Sequence, residues 1–124
     1  MDSPLDEGIR FFNTEKFFEA HEAWEAVWLK AKGEEKMFLH GLIQVAAAFH
    51  HLTRGNLTGF RSLLEKGGRK LEDCREVRGG IRLAGFLPQL QRWLRWSEEG
   101  ARRQPGDRQR HSPRKAPPLP KIKA

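Results

Sequence analysis

The stretch 34–54 is apolar on nearly every side of a helical wheel, and it constrains the fold more than any other part of the chain. Its apolar residues form two adjoining stripes, one of Phe38, Leu42, Val45, Phe49 and Leu52 and one of Leu39, Ile43 and Ala46. A helix of this kind must be covered by neighbours on more than one side. The small residues Gly41 and 46–48 would let one neighbour approach closely. The sequence therefore predicts an all-α fold built around this central helix.

Helix start and stop signals divide the rest of the chain into further helices. Pro4 and Asn56 are typical of helix starts, and Asn13 supplies a capping group for another start at residue 15. Gly33 and Gly55 are typical of helix ends. The predicted helices are 4–12, 15–32, 34–54, 57–76 and 83–98. No stretch alternates apolar and polar residues as a strand would, so we expect a compact irregular bundle of about five helices.

The fourth predicted helix contains a weak point. Gly67 and Gly68 lie in its middle, and each interior glycine costs about 1 kcal/mol relative to alanine. Apolar residues nevertheless recur at helical spacing from Phe60 through Leu71. We predict one continuous helix, with a break at the two glycines as the alternative.

The net charge of +7 belongs to the C-terminal tail. Residues 101–124 hold eight Lys or Arg and one acid, whereas the remaining residues hold fifteen bases and fifteen acids. Five of the seven prolines also lie in this tail, which has few large apolar side chains. Because such a segment buries too little surface to offset the entropy of ordering, we predict a helical domain over 1–100 and a disordered basic tail over 101–124.

The tail suggests one class of partner. Its cations would bind nucleic acid weakly through counterion release, which makes a nucleic-acid-associated scaffold one hypothesis. It holds no aromatic residue to stack on bases, which argues against specific recognition and favours a solubilising tail.

Composition also indicates the cellular compartment in which the chain folds. Cys74 is the single cysteine, which excludes an intramolecular disulfide and a cysteine-based zinc site. No stretch approaches the roughly 18 apolar residues of a membrane helix, and the N-terminus lacks a secretory pattern. We expect a cytoplasmic protein without a membrane partner, either a monomer or a homodimer.

The run 21–25, His-Glu-Ala-Trp-Glu, is the strongest candidate for chemistry. His21 and Glu25 lie one helical turn apart, and Glu22 adds a second carboxylate at the same level. Such a group is compatible with a general base and its orienting carboxylate, part of a metal site, or a buried histidine satisfied by its neighbour. The run lacks the second histidine of the zinc-peptidase motif, and no glutamate precedes a histidine by three residues as in di-iron proteins.

A polar strip on the central helix is expected to lie near this run. His40, Gln44 and His51 share the strip, but a rise of about 1.5 Å per residue separates His40 from His51 by about 16 Å, too far to ligate one ion. Gln44 and His51 could bracket a ligand across the helix interface, or the strip could face solvent. His50 falls on an apolar stripe, and we assign it to the core.

The order of these residues resembles the family called domain of unknown function 309, over about residues 9–66. The resemblance rests on Phe12-Asn13, the run 17–22, Trp24-Glu25, Trp28, Phe38, the run 41–44, Ala46-Ala47, His51, Gly55-Asn56 and Gly59. It implies a compact all-α domain of about five helices in a small prokaryotic protein, without an established activity. The family pattern falls on His21, Glu22, Glu25, Trp28, Gln44, His51, Gly55 and Asn56.

These observations lead to one leading hypothesis and two alternatives. We predict a polar pocket between the second and third helices that binds a small ligand or a partner. Its lining would be His21, Glu22, Glu25, Gln44, His51 and Asn56, with Trp24 and Trp28 as walls. The first alternative is a hydrolase-type enzyme, with or without an assisting metal, in which His21 or Glu25 is the general base. The second is the nucleic-acid-associated scaffold. The cofactor is unknown.

Overall fold

Five helices account for most of the computed structural model, which describes residues 3–74, 77–78, 81–102 and 115–123. They are α1 (Pro4–Asn13), α2 (Phe17–Trp28), α3 (Gly33–Thr53), α4 (Leu57–Glu72) and α5 (Leu83–Arg102). Two strands of two residues each, β1 (Val77–Arg78) and β2 (Ile81–Arg82), form an antiparallel pair between α4 and α5. The predicted all-α bundle of five helices is confirmed. The strand pair was not predicted, because two residues are too few to show an alternating pattern.

Helix α3 is the central element, as predicted, and it packs against α2 on one side and α4 on the other. The crossing with α4 is close because glycines meet there. A β-carbon on Gly67 would lie 2.8 Å from the Gly41 oxygen and 2.9 Å from Cγ2 of Val45. The helix α4 continues through Gly67 and Gly68, so the predicted continuous helix is confirmed over 57–72.

The α1–α2 hairpin closes over Trp24. Ser3 caps α1 by accepting a hydrogen bond from the Asp6 backbone, as the sequence around Pro4 predicts. Trp24 is fully buried, and its Nε1 donates to the backbone oxygen of Leu5 at 3.1 Å. A β-carbon on Gly8 would lie 2.2 Å from that Nε1, so only glycine lets α1 approach so closely.

The turn between α1 and α2 differs from the prediction. Helix α2 begins at Phe17 rather than at residue 15, without a side-chain cap, and Glu15 has a positive φ of 66°. The side chain of Asn13, predicted to cap α2, instead bonds to the backbone of Ile122. This contact comes from a residue 109 positions away in sequence, which local cap rules do not include.

Residues 115–123 lie without helix or strand against the end of α1, strand β2 and α5. Ile122 is 3% exposed and belongs to the hydrophobic core, and Pro120 is also buried. The tail's average composition does not indicate this packing, because it masks the few apolar residues of the stretch. Residues 103–114 and 124, which make up the rest of the predicted disordered tail beyond α5, lie outside the described residues.

No helix in the described ranges combines the length and the apolar character needed to cross a bilayer.

Candidate functional site

The residues predicted to line one pocket fall into separate groups. His21 pairs with Glu25 on α2, Gln44 contacts α4, and His51 pairs with Asn56 beyond the end of α3. Within the described part of the chain, no hydrogen bond or ion pair joins one of these groups to another. Glu22 is exposed on α2.

Gln44 lies at the contact between α3 and α4. Its Oε1 accepts a hydrogen bond from Nζ of Lys70 at 2.9 Å. The pKa of His40, one turn earlier on α3, is lowered from 6.5 by burial and by the positive charge of Lys70. Gln44 of the predicted polar strip therefore has Lys70 of α4, and not the run 21–25 of α2, as its hydrogen-bond partner.

His51 and Asn56 form the reverse turn between α3 and α4. The Nδ2 of Asn56 donates to Nδ1 of His51 at 3.1 Å, while its Oδ1 accepts from the backbone of Gly59 at 2.9 Å and caps α4. Gly55 between them has a φ of 78°, a conformation that favours glycine. Each of these residues thus has a structural role at the turn.

The two predicted wall residues have different environments. Trp24 is 0% exposed and donates its indole N–H to the Leu5 backbone oxygen, so it lies in the interior and lines no surface. Trp28 is partly buried, with its ring 5.8 Å from the ring of His40 and 4.5 Å from Nζ of Lys36. Trp28 lies at the end of the α2–α3 hairpin that is opposite to Phe18.

A group of aromatic and charged side chains does form between α2 and α3. Phe18 is 46% exposed, and its ring lies 6.1 Å from that of His21, nearly parallel at 23°, and 5.3 Å from that of His50. His21 Nε2 lies 3.4 Å from Oε2 of Glu25. We call Phe18, His21, Glu25 and His50 the Phe18 patch. His50, predicted to be a core residue, is partly exposed here.

The two nitrogens of His21 have unlike surroundings. Nε2 faces the exposed carboxylate of Glu25, whereas Nδ1 is buried and has no hydrogen-bond partner among the described residues. When Nε2–H donates to Glu25, Nδ1 is the nitrogen left to take a proton. A general base must come within hydrogen-bond reach of its substrate, and a buried Nδ1 does not in this conformation. Of the two candidate bases named from the sequence, Glu25 is the one whose carboxylate is exposed to solvent.

Metal binding can be judged from the donors. Among the described residues, no three His, Cys, Asp or Glu side chains lie close enough together to hold a metal ion. His21 and Glu25 therefore supply two donors at most in this arrangement.

Sequence reasoning missed Phe18 and His50 as members of the site. A signal for them exists in the antiparallel pairing of α2 and α3. Moving ten residues along α2, from Phe18 to Trp28, corresponds to moving back ten residues along α3, from His50 to His40. The short 29–32 connection implies this direction, and the stripe that includes His50 then faces α2.

A separate recess of about 240 Å³ lies between α4 and α5. Leucines form its apolar lining, and charged residues line it as well, including the Glu65–Arg69 ion pair. None of the residues predicted for the site lines it.

Comparison with known proteins gives a family and one relative. Residues 5–63 match the model of a family described as a domain of unknown function, DUF309. An uncharacterized protein of Aquifex aeolicus is 32% identical over 97 residues, which is 77% of this chain. The chain spans 29% of the length of that relative. The matched family segment contains the whole Phe18 patch.

Proposed function

We propose that the chain, whose residues 5–63 match the model of the DUF309 family of domains of unknown function, is a small helical binding module whose Phe18 patch holds a small ligand or a partner's side chain. The observation that carries this proposal is the exposed ring of Phe18 between the imidazoles of His21 and His50. It differs from an ordinary exposed apolar residue because flat, partly polar rings surround it.

The charges around the patch favour a cationic ligand. Glu22 and Glu25 are exposed on the same flank of α2 as Phe18. An aromatic face beside carboxylates attracts a ligand that combines an apolar group with a positive charge. His50, on α3, closes the other side of the Phe18 ring.

A matched pair of small probes tests the proposal. Benzamidine and benzoate share a ring and carry opposite charges, and each is titrated into the isotope-labelled chain while NMR chemical shifts are recorded. Benzamidine should give saturable shifts at Phe18, His21, Glu25 and His50. Benzoate should give none, because the carboxylates repel it.

Two variants show where on the chain benzamidine binds. Phe18→Ser should abolish the saturable shifts, whereas Leu57→Ser should leave them unchanged, since Leu57 is exposed to a similar extent, 52% against 46%, on α4. Shifts spread over the whole surface, or shifts that survive Phe18→Ser, would refute the proposal.

The nucleic-acid hypothesis stays a prediction. Four of the tail's eight cationic residues, Arg103, Arg108, Arg110 and Arg114, lie outside the described residues. One of the described ones, Lys121, is engaged within the fold, where its Nζ donates to the Asn13 backbone at 2.8 Å.

A further inference from the structure

Two side-chain amides hold the backbone of two consecutive residues near the C-terminus. Asn13 bonds to both backbone groups of Ile122, donating from Nδ2 at 2.9 Å and accepting at Oδ1 at 2.7 Å. Gln89 does the same for Lys121, donating from Nε2 at 3.1 Å and accepting at Oε1 at 2.9 Å. In an extended chain, consecutive residues direct their backbone groups to opposite sides. Asn13 and Gln89 therefore hold the two edges of one extended segment.

Further bonds fix the segment on either side of this pair. Nε1 of Trp93 donates to the Pro118 oxygen at 2.9 Å, and the backbone N–H of Arg82 donates to the Lys123 oxygen at 3.0 Å. Hydrogen bonds thus reach the backbone of residues 118, 121, 122 and 123. They come from α1 at one end of the chain and from the consecutive elements β2 and α5, which are remote from α1 in sequence.

Side chains add selectivity to these backbone contacts. Ile122 is 3% exposed, and Pro120, two residues earlier, is buried as well. Lys121 extends toward α1, where its Nζ donates to the Asn13 oxygen and lies 3.9 Å from Oε2 of Glu15. The surrounding residues bury the side chains of Pro120 and Ile122 and place a carboxylate beside Lys121. The site is therefore selective for the sequence Pro-Lys-Ile.

We propose that this cleft, the Asn13–Gln89 cleft, is a peptide-binding site that the chain's own residues 115–123 occupy and that accepts the same segment from a second copy of the chain. Its recognition combines backbone hydrogen bonds with pockets for alternate side chains, which is how proteins bind extended peptides. All these contacts are noncovalent, and residues 103–114 separate the segment from α5 in sequence. Covalent attachment raises the local concentration of the chain's own segment without changing what the cleft recognises.

The experiment keeps the full chain during folding and cuts it afterwards. A recognition sequence for a site-specific protease is inserted after Asp107, and the folded protein is then cleaved. A fluorescent peptide of residues 115–124 is added, and its anisotropy reports binding. We expect saturable binding to the cleaved chain and none to the uncleaved chain at the same concentration, because the attached segment competes.

Two controls test the recognition. A peptide with Ile122→Asp should bind about 100-fold more weakly, because the buried position would receive a charge. Gln89→Leu in the cleaved chain should weaken binding about tenfold by removing two backbone hydrogen bonds, whereas Gln91→Leu, two residues along α5, should not.

Several results would overturn the proposal. The first is a cleaved chain that keeps its circular dichroism spectrum but does not bind the labelled peptide. The second is a chain that loses its fold once the fragment dissociates, which would make the segment an integral part of the core. Equal binding of the Ile122→Asp peptide would show nonspecific adsorption.

Discussion

The backbone oxygen of Gly41 lies 2.8 Å from the position that a β-carbon on Gly67 would occupy. In the opposite direction, a β-carbon on Gly41 would lie 3.2 Å from the Gly67 oxygen and 3.0 Å from the Leu71 side chain. The glycines thus allow α3 and α4 to cross with their backbones in near contact. This crossing sets the position of Lys70 beside Gln44.

The two adjacent glycines of α4 should respond oppositely to alanine. Gly67→Ala should lower the free energy of unfolding by about 2 kcal/mol, because the new methyl group has backbone and side-chain atoms in its way. Gly68→Ala should raise it by about 1 kcal/mol, since no atom lies within 4 Å of that β-carbon and alanine favours a helix. Urea unfolding of both variants measures the difference. Equal effects would mean that α3 and α4 do not cross at Gly67.

The part of the fold that could be predicted from sequence is the part set by local patterns. Apolar spacing located the helices, and the small residue Gly41 indicated a close neighbour for α3, which the structure confirms. The partners of polar side chains were not predictable in this way. Asn13 is of a residue type that often caps helices, but its hydrogen-bond partner, Ile122, is remote in sequence. A rule that considers only neighbouring residues assigns such a side chain to the nearest helix end.

The candidate site shows the same limit. The helical wheel correctly places His21 and Glu25 together, because their pairing is local to α2. It also groups Gln44 with His51, yet it cannot say which neighbouring helix each faces, and the structure gives them Lys70 and Asn56 as partners. Placing His50 beside Phe18 requires knowing how α2 and α3 are aligned with each other, and a wheel of a single helix carries no such information.

The docked C-terminal segment should contribute measurably to stability. Ile122→Ala should lower the free energy of unfolding by about 3 kcal/mol, because Ile122 is buried in the core. Lys123→Ala is the matched control at an exposed side chain and should change it by less than about 0.5 kcal/mol. Guanidinium unfolding tests both. Identical midpoints for the two variants would show that the segment does not stabilise the bundle.

The two hydrogen bonds of Asn56 can be separated. Asn56→Ala removes the α4 cap and should destabilise the chain by about 1 kcal/mol. Asn56→Asp keeps the oxygen that accepts from Gly59 but loses the Nδ2 donor to His51, so it should cost less than the alanine variant. Thermal unfolding of the two variants at neutral pH compares them. An aspartate variant as unstable as the alanine variant would make the His51 bond the more important of the two.

The environment of His40 predicts a pH effect. Burial, and secondarily Lys70, lower the pKa of His40 from 6.5, so the unfolded chain binds more protons between the lowered pKa and 6.5. The stability of the folded chain should therefore fall as pH decreases through that window, and it should not depend on His40 above it. His40→Gln should reduce this loss in urea unfolding measured across the window.

Lys70→Met should raise the pKa of His40 toward 6.5 in an NMR titration, because it removes the nearby positive charge. Lys66→Met, on an exposed position of α4, is the control and should leave the titration unchanged. A His40 pKa that does not respond to Lys70→Met would leave burial as its single cause.

A substitution at His21 distinguishes a binding site from a purely structural pair. The buried Nδ1 of His21 has no partner among the described residues, and an unsatisfied buried polar atom costs about 1–3 kcal/mol. The bond that His21→Leu would lose is to Glu25, which is 48% exposed, and exposed pairs contribute little. His21→Leu should therefore raise the free energy of unfolding by about 1 kcal/mol while weakening the benzamidine response at the Phe18 patch. If the pair instead served the fold alone, this variant would lower the free energy of unfolding and leave the benzamidine response of the folded fraction intact. Urea unfolding together with the NMR titration separates the two outcomes.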